Sequence, residues 1–257
     1  MQMSFNVLTF PTRQEMGRQA ARDTAACVAR LLQEKDQLSM IFAAAPSQNE
    51  FLAALSSDPT VDFSRITAFH MDEYVGLDVQ APQGFGNFLR DRLFATAGFR
   101  QVHYLDGNAA DIEAECDRYG RLLAENPPDI ICLGIGENGH IAFNDPHVAD
   151  FLDPRPVRCV TLDDICRMQQ VHDGCFATLD DVPKQALTLT IPTLVHAGHH
   201  FCMVPALAKA QAVLNTITGK IDPGCPASAL RLCASVNLYL DQQSASLLPT
   251  FTFQPAN

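Results

Sequence analysis

The chain has 257 residues, 47% apolar and 18% charged, so it can bury a large core and is not a disordered polymer. A formal net charge of −11, with no long block among 18 Lys and Arg residues, excludes a general nucleic-acid binder. No stretch reaches the roughly 18 consecutive apolar residues of a membrane span, and we expect no signal peptide and no membrane partner. Nine cysteines without a C-x-x-C pair are typical of buried thiols in a reducing compartment, which predicts a cytoplasmic protein.

Helical and strand-like patterns alternate along the chain. Thr12 and Glu15 form a capping box that begins the first helix, and further helical patterns cover 111–125 and 206–217. Apolar runs between the helices are typical of buried parallel strands. The predicted strands are 5–10, 38–45, 66–72, 130–134, 157–162, 187–191, 201–204 and 236–240.

This alternation with short connections predicts an α/β fold, a three-layer α/β/α arrangement with a mostly parallel, Rossmann-like sheet and helices on both faces. No linker is evident, so we expect one domain over 1–257, with a weakly packed tail after about residue 241 in which Leu247, Leu248, Phe251 and Phe253 dock in part. The proline-rich stretch 146–156 is predicted to be a surface loop in a position to form a lid.

Polar residues follow several of the predicted strands. Ligands of open α/β sheets bind outside the carboxyl ends of the strands, so side chains at four such ends are expected to face one crevice. They are Ser47 and Gln48, Asp72 and Glu73, the 134–140 loop, and Lys209. Lys209, in the first turns of its helix, is a candidate anion ligand, with a solvated surface lysine as the alternative.

The glycines at 134, 136 and 139 also match a dinucleotide fingerprint. That fingerprint requires a helix of several turns, whereas Pro146 follows Gly139 by only seven positions, so we predict no nucleotide cofactor. Gly136 and Gly139 are instead expected to bind substrate oxygens through free backbone N–H groups.

Two residues are candidates for proton transfer. His140 follows the glycine turn with Asp145 close behind, and an imidazole with a carboxylate partner suits general acid–base work. Asp72 ends an apolar strand, where partial desolvation would raise its basicity. Glu73 is a candidate substrate ligand, and capping the next helix is its alternative. The histidines at 196, 199 and 200 lack a further ligand at zinc spacing, so we predict a solvated loop there and no metal.

The segments His70-Met-Asp-Glu-Tyr-Val-Gly-Leu77 and 134–146 resemble the signatures of the glucosamine-6-phosphate deaminase/isomerase family, and 181–188 resembles a third. The resemblance implies conversion of an amino sugar phosphate to a ketose phosphate and ammonia, without a cofactor. It makes Asp72 the carbon base and His140 the ring-opening group. It places Asp145 where the family usually has glutamate, and Asn138 where it has aspartate.

The chain also departs from the family pattern at the residues expected to bind the phosphate. The usual Thr-Gly-Gly-Thr loop reads Ala45-Pro-Ser-Gln-Asn49, and the phosphate arginine is replaced near Gly174, which leaves Lys209, Ser47 and backbone N–H groups. Alternatives are galactosamine-6-phosphate isomerisation, an inactive sugar-phosphate sensor, and 6-phosphogluconolactonase activity. The lactonase sister family would carry Asp-Glu-Arg where this chain has Asp72-Glu73-Tyr74. Assembly into a homo-oligomer is left open.

Overall fold

The computed structural model describes residues 3–249, and no helix within this range has the length and apolar character to cross a bilayer. Its elements in chain order are β1 (Ser4–Phe10), α1 (Arg13–Leu31), β2 (Leu38–Phe42), α2 (Asn49–Ser56), β3 (Ile66–His70), β4 (Asp72–Tyr74), α3 (Phe85–Leu89), β5 (Gln101–His103), α4 (Ile112–Glu125), β6 (Ile130–Leu133), β7 (Val157–Thr161), α5 (Asp164–His172), β8 (Gln185–Leu189), α6 (Ile191–Val195), β9 (His199–Val204), α7 (Ala210–Thr218) and β10 (Ser235–Asp241).

Seven of the strands form one parallel sheet in the order β1-β10-β9-β6-β2-β3-β5. Its central strands β2, β3 and β6 are buried along their whole length, as their uninterrupted apolar sequences predict. The parallel direction brings the carboxyl ends of these strands to one edge of the sheet.

Helices cover both faces of this sheet, which confirms the predicted three-layer α/β fold. Met40 and Phe42 of β2 contribute to one apolar cluster with α1 and α2, while Ile41 contributes to the other with α4 and α7. Alternate side chains of a strand point to opposite faces, so a wholly apolar strand must be covered on both sides. Thr12 caps α1 through its side chain, which accepts from the Glu15 N–H at 3.2 Å.

The run 66–72 is not one strand, which corrects the sequence prediction. It ends at His70, and Asp72–Tyr74 becomes the edge of a second, antiparallel sheet of order β4-β8-β7. His70 stabilises the bend, because Nε2 accepts from the Leu105 N–H at 2.9 Å and Nδ1 then donates to the Asp72 carbonyl at 2.9 Å. Burial lowers the pKa of His70 to about 4, which keeps the ring neutral in this role.

The histidine-rich segment is another correction. His199 begins β9, and His200 is buried with its two ring nitrogens facing the carbonyl oxygens of Leu194 and Ser235 at 2.8 and 3.1 Å. A solvated loop is therefore the wrong prediction for His199 and His200, where a strand begins and the buried His200 N–H has a backbone carbonyl as acceptor, whereas His196 is exposed in the bend before the strand. The short strand β5 was also not predicted.

The described part of the tail is better packed than its sequence predicts. Ser244 is fully buried, and its N–H donates to the Asp241 carboxylate at 2.8 Å. Leu248 packs against the apolar core, whereas Leu247 is half exposed. The expected docking of Phe251 and Phe253 falls outside the described residues.

Candidate active site

The carboxyl ends of the central strands border one cleft of about 790 Å³, part of which is open solvent. Six of the predicted site residues line it: Ser47, Gln48, Asp72, Gly136, His140 and Lys209. They come from four separate segments of the chain that the parallel sheet brings together. The expected single crevice is therefore present.

The loop after β6 holds His140 against its own backbone. The Gly136 N–H donates to the His140 carbonyl at 2.9 Å, and a methyl group on Gly136 would overlap the imidazole ring. Gly139 adopts a φ of +85° and does not line the cleft, so it is a turn residue and not the predicted substrate contact. Turns and a short Ile141–Asn144 bridge follow, which agrees with the rejection of a dinucleotide fold.

His140, Asn138 and Asp145 form a hydrogen-bonded triad below the cleft. His140 Nδ1 lies 2.8 Å from Asn138 Oδ1 and 3.1 Å from Asp145 Oδ1, and Asn138 Nδ2 donates to the same Asp145 oxygen at 3.0 Å. Burial would raise the pKa of Asp145, but the hydrogen bonds from His140 and Asn138 lower it below its ordinary value. Asp145 is fully buried and does not line the cleft.

This triad assigns the tautomer of His140. An ionised carboxylate only accepts hydrogen bonds, so the amide NH₂ of Asn138 faces Asp145 and the amide oxygen faces the ring. That oxygen also accepts from the His140 backbone N–H at 3.0 Å. Nδ1 therefore carries the proton, and Nε2 is left to accept a proton in the cleft.

Asp72 lies at the cleft with only 6% of its surface exposed. Burial raises the pKa of its carboxyl well above the ordinary range, and the charge of Glu73 raises it further. The sequence-based expectation of a desolvated, more basic carboxylate thus matches its surroundings.

Glu73 points away from this cleft. Its carboxylate accepts from the backbone N–H groups of Tyr74, Phe85 and Gly86 at 2.9, 3.0 and 2.8 Å, and it lines a neighbouring cleft. The alternative, capping of the following helix, is therefore the better description. The reason is strand alternation, because adjacent residues of β4 project to opposite faces.

The cleft also carries the expected cation. Lys209 Nζ is buried and has no hydrogen-bond partner among the described residues, and the nearest carboxylate oxygen, Glu137 Oε1, is 4.0 Å away. Burial lowers the pKa of Lys209, and the charges of Asp173 and Glu137 oppose this effect. Gln48, also buried, donates to Ser47 Oγ at 3.1 Å and fixes the turn beside it.

Several lining residues were not predicted. Arg13 reaches the cleft from α1, where Glu50 and the Pro46 carbonyl hold its guanidinium, and Gln169, Gln170 and Asp173 reach it from α5 and its end. Residues 146–156, the expected lid, do not contribute to the lining. The signal for Arg13 was available in principle, since it is the first residue of a helix whose cap was recognised.

Backbone strain is concentrated at this cleft. Ala142 has a φ of +47°, and Ala206 has a φ of +83° with a ψ of 148°, a region that residues other than glycine rarely adopt. Both residues line the cleft. The Ala206 N–H donates to the Asp241 carboxylate at 3.0 Å, which holds this turn before Lys209.

Two sets of potential metal ligands occur among residues 3–249. They are His140, Asp145 and Cys166, and Asp145, His147 and Asp163, with the ligand atoms of each set within 4.8 Å of one another. In the first set the facing ring nitrogen and carboxylate oxygen are already hydrogen-bonded to Asn138. These contacts support proton handling by the triad.

Comparison with known proteins gives a consistent family. Residues 11–238 match the family model described as glucosamine-6-phosphate isomerases/6-phosphogluconolactonase. The glucosamine-6-phosphate deaminase of Lactobacillus delbrueckii subsp. bulgaricus is 36% identical over 190 residues, which cover 73% of this chain and 78% of that protein. The deaminase of Listeria monocytogenes is 38% identical over 189 residues, with the same coverages of 73% and 78%.

Solved structures extend the similarity to nearly the whole chain. A monomeric glucosamine-6-phosphate deaminase superposes with a TM-score of 0.86 at 32% identity, covering 95% of this chain and 100% of that one. The 6-phosphogluconolactonase of Thermotoga maritima superposes with a TM-score of 0.73 at 19% identity, covering 92% and 100%, and at that identity it shares the fold alone.

Proposed function

The chain belongs to the glucosamine-6-phosphate isomerase/6-phosphogluconolactonase family, and from this premise we propose that it converts glucosamine 6-phosphate to fructose 6-phosphate and ammonia. The observation that carries the proposal is the meeting of Asp72, His140 and Lys209 in one cleft. A base, a ring-opening group and an anion ligand are thereby available to one hexose. The chain acts as a single catalytic domain, and the continuous sheet that joins β1 to β10 supports this.

His140 opens the sugar ring in this proposal. Its Nε2 takes the proton of the C1 hydroxyl as the bond between C1 and the ring oxygen breaks, and the proton is returned to that oxygen. The triad supports this role, because Asn138 and Asp145 fix the tautomer and stabilise the imidazolium that forms.

Asp72 transfers the proton between carbons. It removes the proton from C2 of the open amino aldose while the aldehyde oxygen at C1 gains a proton from the substrate ammonium group, which gives an enolamine. Delivery of the C2 proton to C1 then leaves a protonated imine at C2. Water then adds to C2 and ammonia leaves, giving the ketose phosphate. A carboxylate with a raised pKa suits this step, since its basicity is closer to that needed for carbon acids.

Lys209 binds the phosphate. Its buried Nζ, without a hydrogen-bond partner in the described part of the chain, would donate to phosphate oxygens, and Ser47 with neighbouring backbone N–H groups completes the site. The preceding turn at Ala206 and its bond to Asp241 keep this lysine beside the cleft.

The test is simultaneous measurement of ammonia and fructose 6-phosphate from glucosamine 6-phosphate. Asp72→Asn is expected to lower kcat by at least about 100-fold, while Asp117→Asn, an exposed carboxylate on α4, leaves kcat unchanged. Wild-type turnover in Asp72→Asn would reject this base. Lys209→Met is expected to raise KM for the phosphate ester and to reduce the preference for it over free glucosamine.

The lactonase alternative has less support. Tyr74, where the lactonase signature carries arginine, is 1% exposed and packs against Phe85, Phe143 and Phe176 with ring centroids 4.9–5.6 Å apart. The position therefore supplies no cation to the cleft. Hydrolysis of 6-phosphogluconolactone without ammonia release from any hexosamine phosphate would favour that alternative.

A second candidate function is binding of a sugar phosphate without turnover. It is supported by Asn138, which cannot ionise where the family has aspartate, and by the carboxylate of Asp173 at the cleft. Saturable binding of glucosamine 6-phosphate and galactosamine 6-phosphate with no product from either would favour it. Cytoplasmic location, assembly into a homo-oligomer and choice between these two epimers stay predictions.

A further inference from the structure

One atom of the triad lacks a hydrogen bond. Asp145 Oδ1 accepts from Asn138 and lies 3.1 Å from His140 Nδ1, whereas Asp145 Oδ2 is buried and has no hydrogen-bond partner among the described residues. The side chain is fully buried. An ionised carboxylate in such surroundings is stable only when both oxygens receive donors, so a further donor is expected beside Oδ2.

The thiol of Cys166 is a candidate for that donor. A Cys166 sulfur, an Asp145 oxygen and a His140 nitrogen lie within 4.8 Å of one another, and Cys166 is 1% exposed. Cys166 is fixed in the first turn of α5, because its N–H donates to the Asp163 side chain that caps the helix at 2.6 Å.

The thiol keeps its proton in these surroundings. Burial raises the pKa of Cys166 well above the ordinary value, and the charge of Asp145 raises it further. A protonated thiol is a donor, although a weak one, and its donation to a carboxylate is consistent with the lowered pKa of Asp145.

We propose that Cys166 is a positioning residue that donates its S–H to Asp145 Oδ2 and so keeps Oδ1 directed at His140. It acts through Asp145 and does not touch the substrate. The proposal rests on the proposed function only where turnover is measured, since the hydrogen bond itself exists in the protein without substrate.

The first experiment removes or replaces the donor. Cys166→Ala leaves Asp145 Oδ2 without a donor, and Cys166→Ser keeps one. Cys202→Ala is the matched control, because that thiol is equally buried but belongs to β9 and packs in the apolar cluster on the other face of the sheet. We expect Cys166→Ala to lower kcat about tenfold, the scale of one bond to a charged group, with KM unchanged.

Titration of the Asp145 carboxyl distinguishes positioning from simple packing. Loss of the donor disfavours the ionised form of Asp145, so its titration, followed by NMR with carbon-13-labelled aspartate, moves to higher pH in Cys166→Ala and returns toward the wild-type position in Cys166→Ser. A packing role would lower stability in both variants without moving this titration. Coincident Asp145 titrations in wild type and Cys166→Ala would overturn the proposal.

The second experiment needs no substrate. An S–H group that donates to a carboxylate absorbs in the infrared at lower frequency than a free thiol, and the wild-type minus Cys166→Ser difference spectrum isolates this band among nine thiols. A band at the free-thiol frequency overturns the proposal, as does stoichiometric zinc that is lost in Cys166→Ser. If Cys166→Ala does not fold, this spectrum and the pH titration of Cys166→Ser decide whether the proposal holds. If the S–H band is shifted but glucosamine 6-phosphate is not turned over, the proposed function is rejected and the hydrogen bond of Cys166 is supported.

Discussion

Replacing Gly136 by alanine is expected to displace His140. The added methyl group would overlap three atoms of the imidazole ring, the nearest at 2.1 Å, so the ring must retreat by at least about 1.3 Å to reach ordinary van der Waals contact at 3.4 Å. Movement of that size breaks the Nδ1 contacts of 2.8 and 3.1 Å to Asn138 and Asp145. A 1 Å misplacement of a catalytic group costs about 100-fold in rate, which corresponds to ~2.7 kcal/mol of barrier.

The assay for Gly136→Ala is steady-state ammonia release, with urea denaturation measured in parallel. We expect kcat to fall about 100-fold and KM to change little, because the added methyl group contacts His140 and not Lys209. Gly198→Ala is the matched control, since its methyl group would meet only the Asp129 carbonyl at 3.5 Å. A folded Gly136→Ala protein with wild-type kcat would refute the claim that close approach of the glycine positions His140.

Three further predictions concern strain and charge at the cleft. Ala206→Gly is expected to raise the free energy of unfolding by about 1 kcal/mol, because relief of the backbone strain exceeds the added entropy of the unfolded chain; urea denaturation measures it. Asp72→Asn is expected to unfold at higher temperature than wild type at neutral pH. The folded state holds the Asp72 proton more tightly than the unfolded chain, so wild-type stability falls as pH rises through the raised pKa, and the difference disappears below about pH 4. Asp173→Asn is expected to lower KM for glucosamine 6-phosphate roughly threefold, since an exposed carboxylate opposing the anion acts through a weak, screened interaction; Asp180→Asn is its control.

Each of these has a contrary result. A less stable Ala206→Gly protein would mean that the alanine methyl group packs favourably enough to offset its backbone conformation. Equal melting temperatures of Asp72→Asn and wild type across the pH range would mean that the carboxyl is not destabilised by burial. An increased KM in Asp173→Asn would make this carboxylate a substrate ligand.

Apolar runs were sufficient to predict most of the central sheet, because buried parallel strands have a continuous apolar sequence. They could not predict β5, which has only three residues and lies at an edge of the sheet. They also could not show that the chain bends at Met71, since no Gly or Pro interrupts the run between β3 and Asp72–Tyr74, which pairs in a second sheet. The bend depends on His70 and on Leu105, which is distant in sequence.

The rule that ligands bind at the carboxyl ends of parallel strands correctly predicted the location of the residues that follow central strands. Asp72, His140 and Lys209 each follow a strand of the parallel sheet or its bend, so topology alone brings them to one cleft. Gln169 and Asp173 could not be found this way, because the position of α5 over the cleft depends on long-range packing. The prediction for Glu73 was avoidable, since adjacent residues of a strand project to opposite faces and Asp72 and Glu73 cannot both face one cleft.

The position of β10 between β1 and β9 has a consequence for synthesis on the ribosome. Residues 4–10 emerge before the other strands of the sheet, yet their only neighbour in that sheet is residues 235–241. A nascent chain therefore carries an unpaired β1 until residues 235–241 have been synthesised, and β9 has an open edge until then as well. A premature stop codon upstream of Ser235 would leave both edges exposed, and such a truncated product is expected to self-associate.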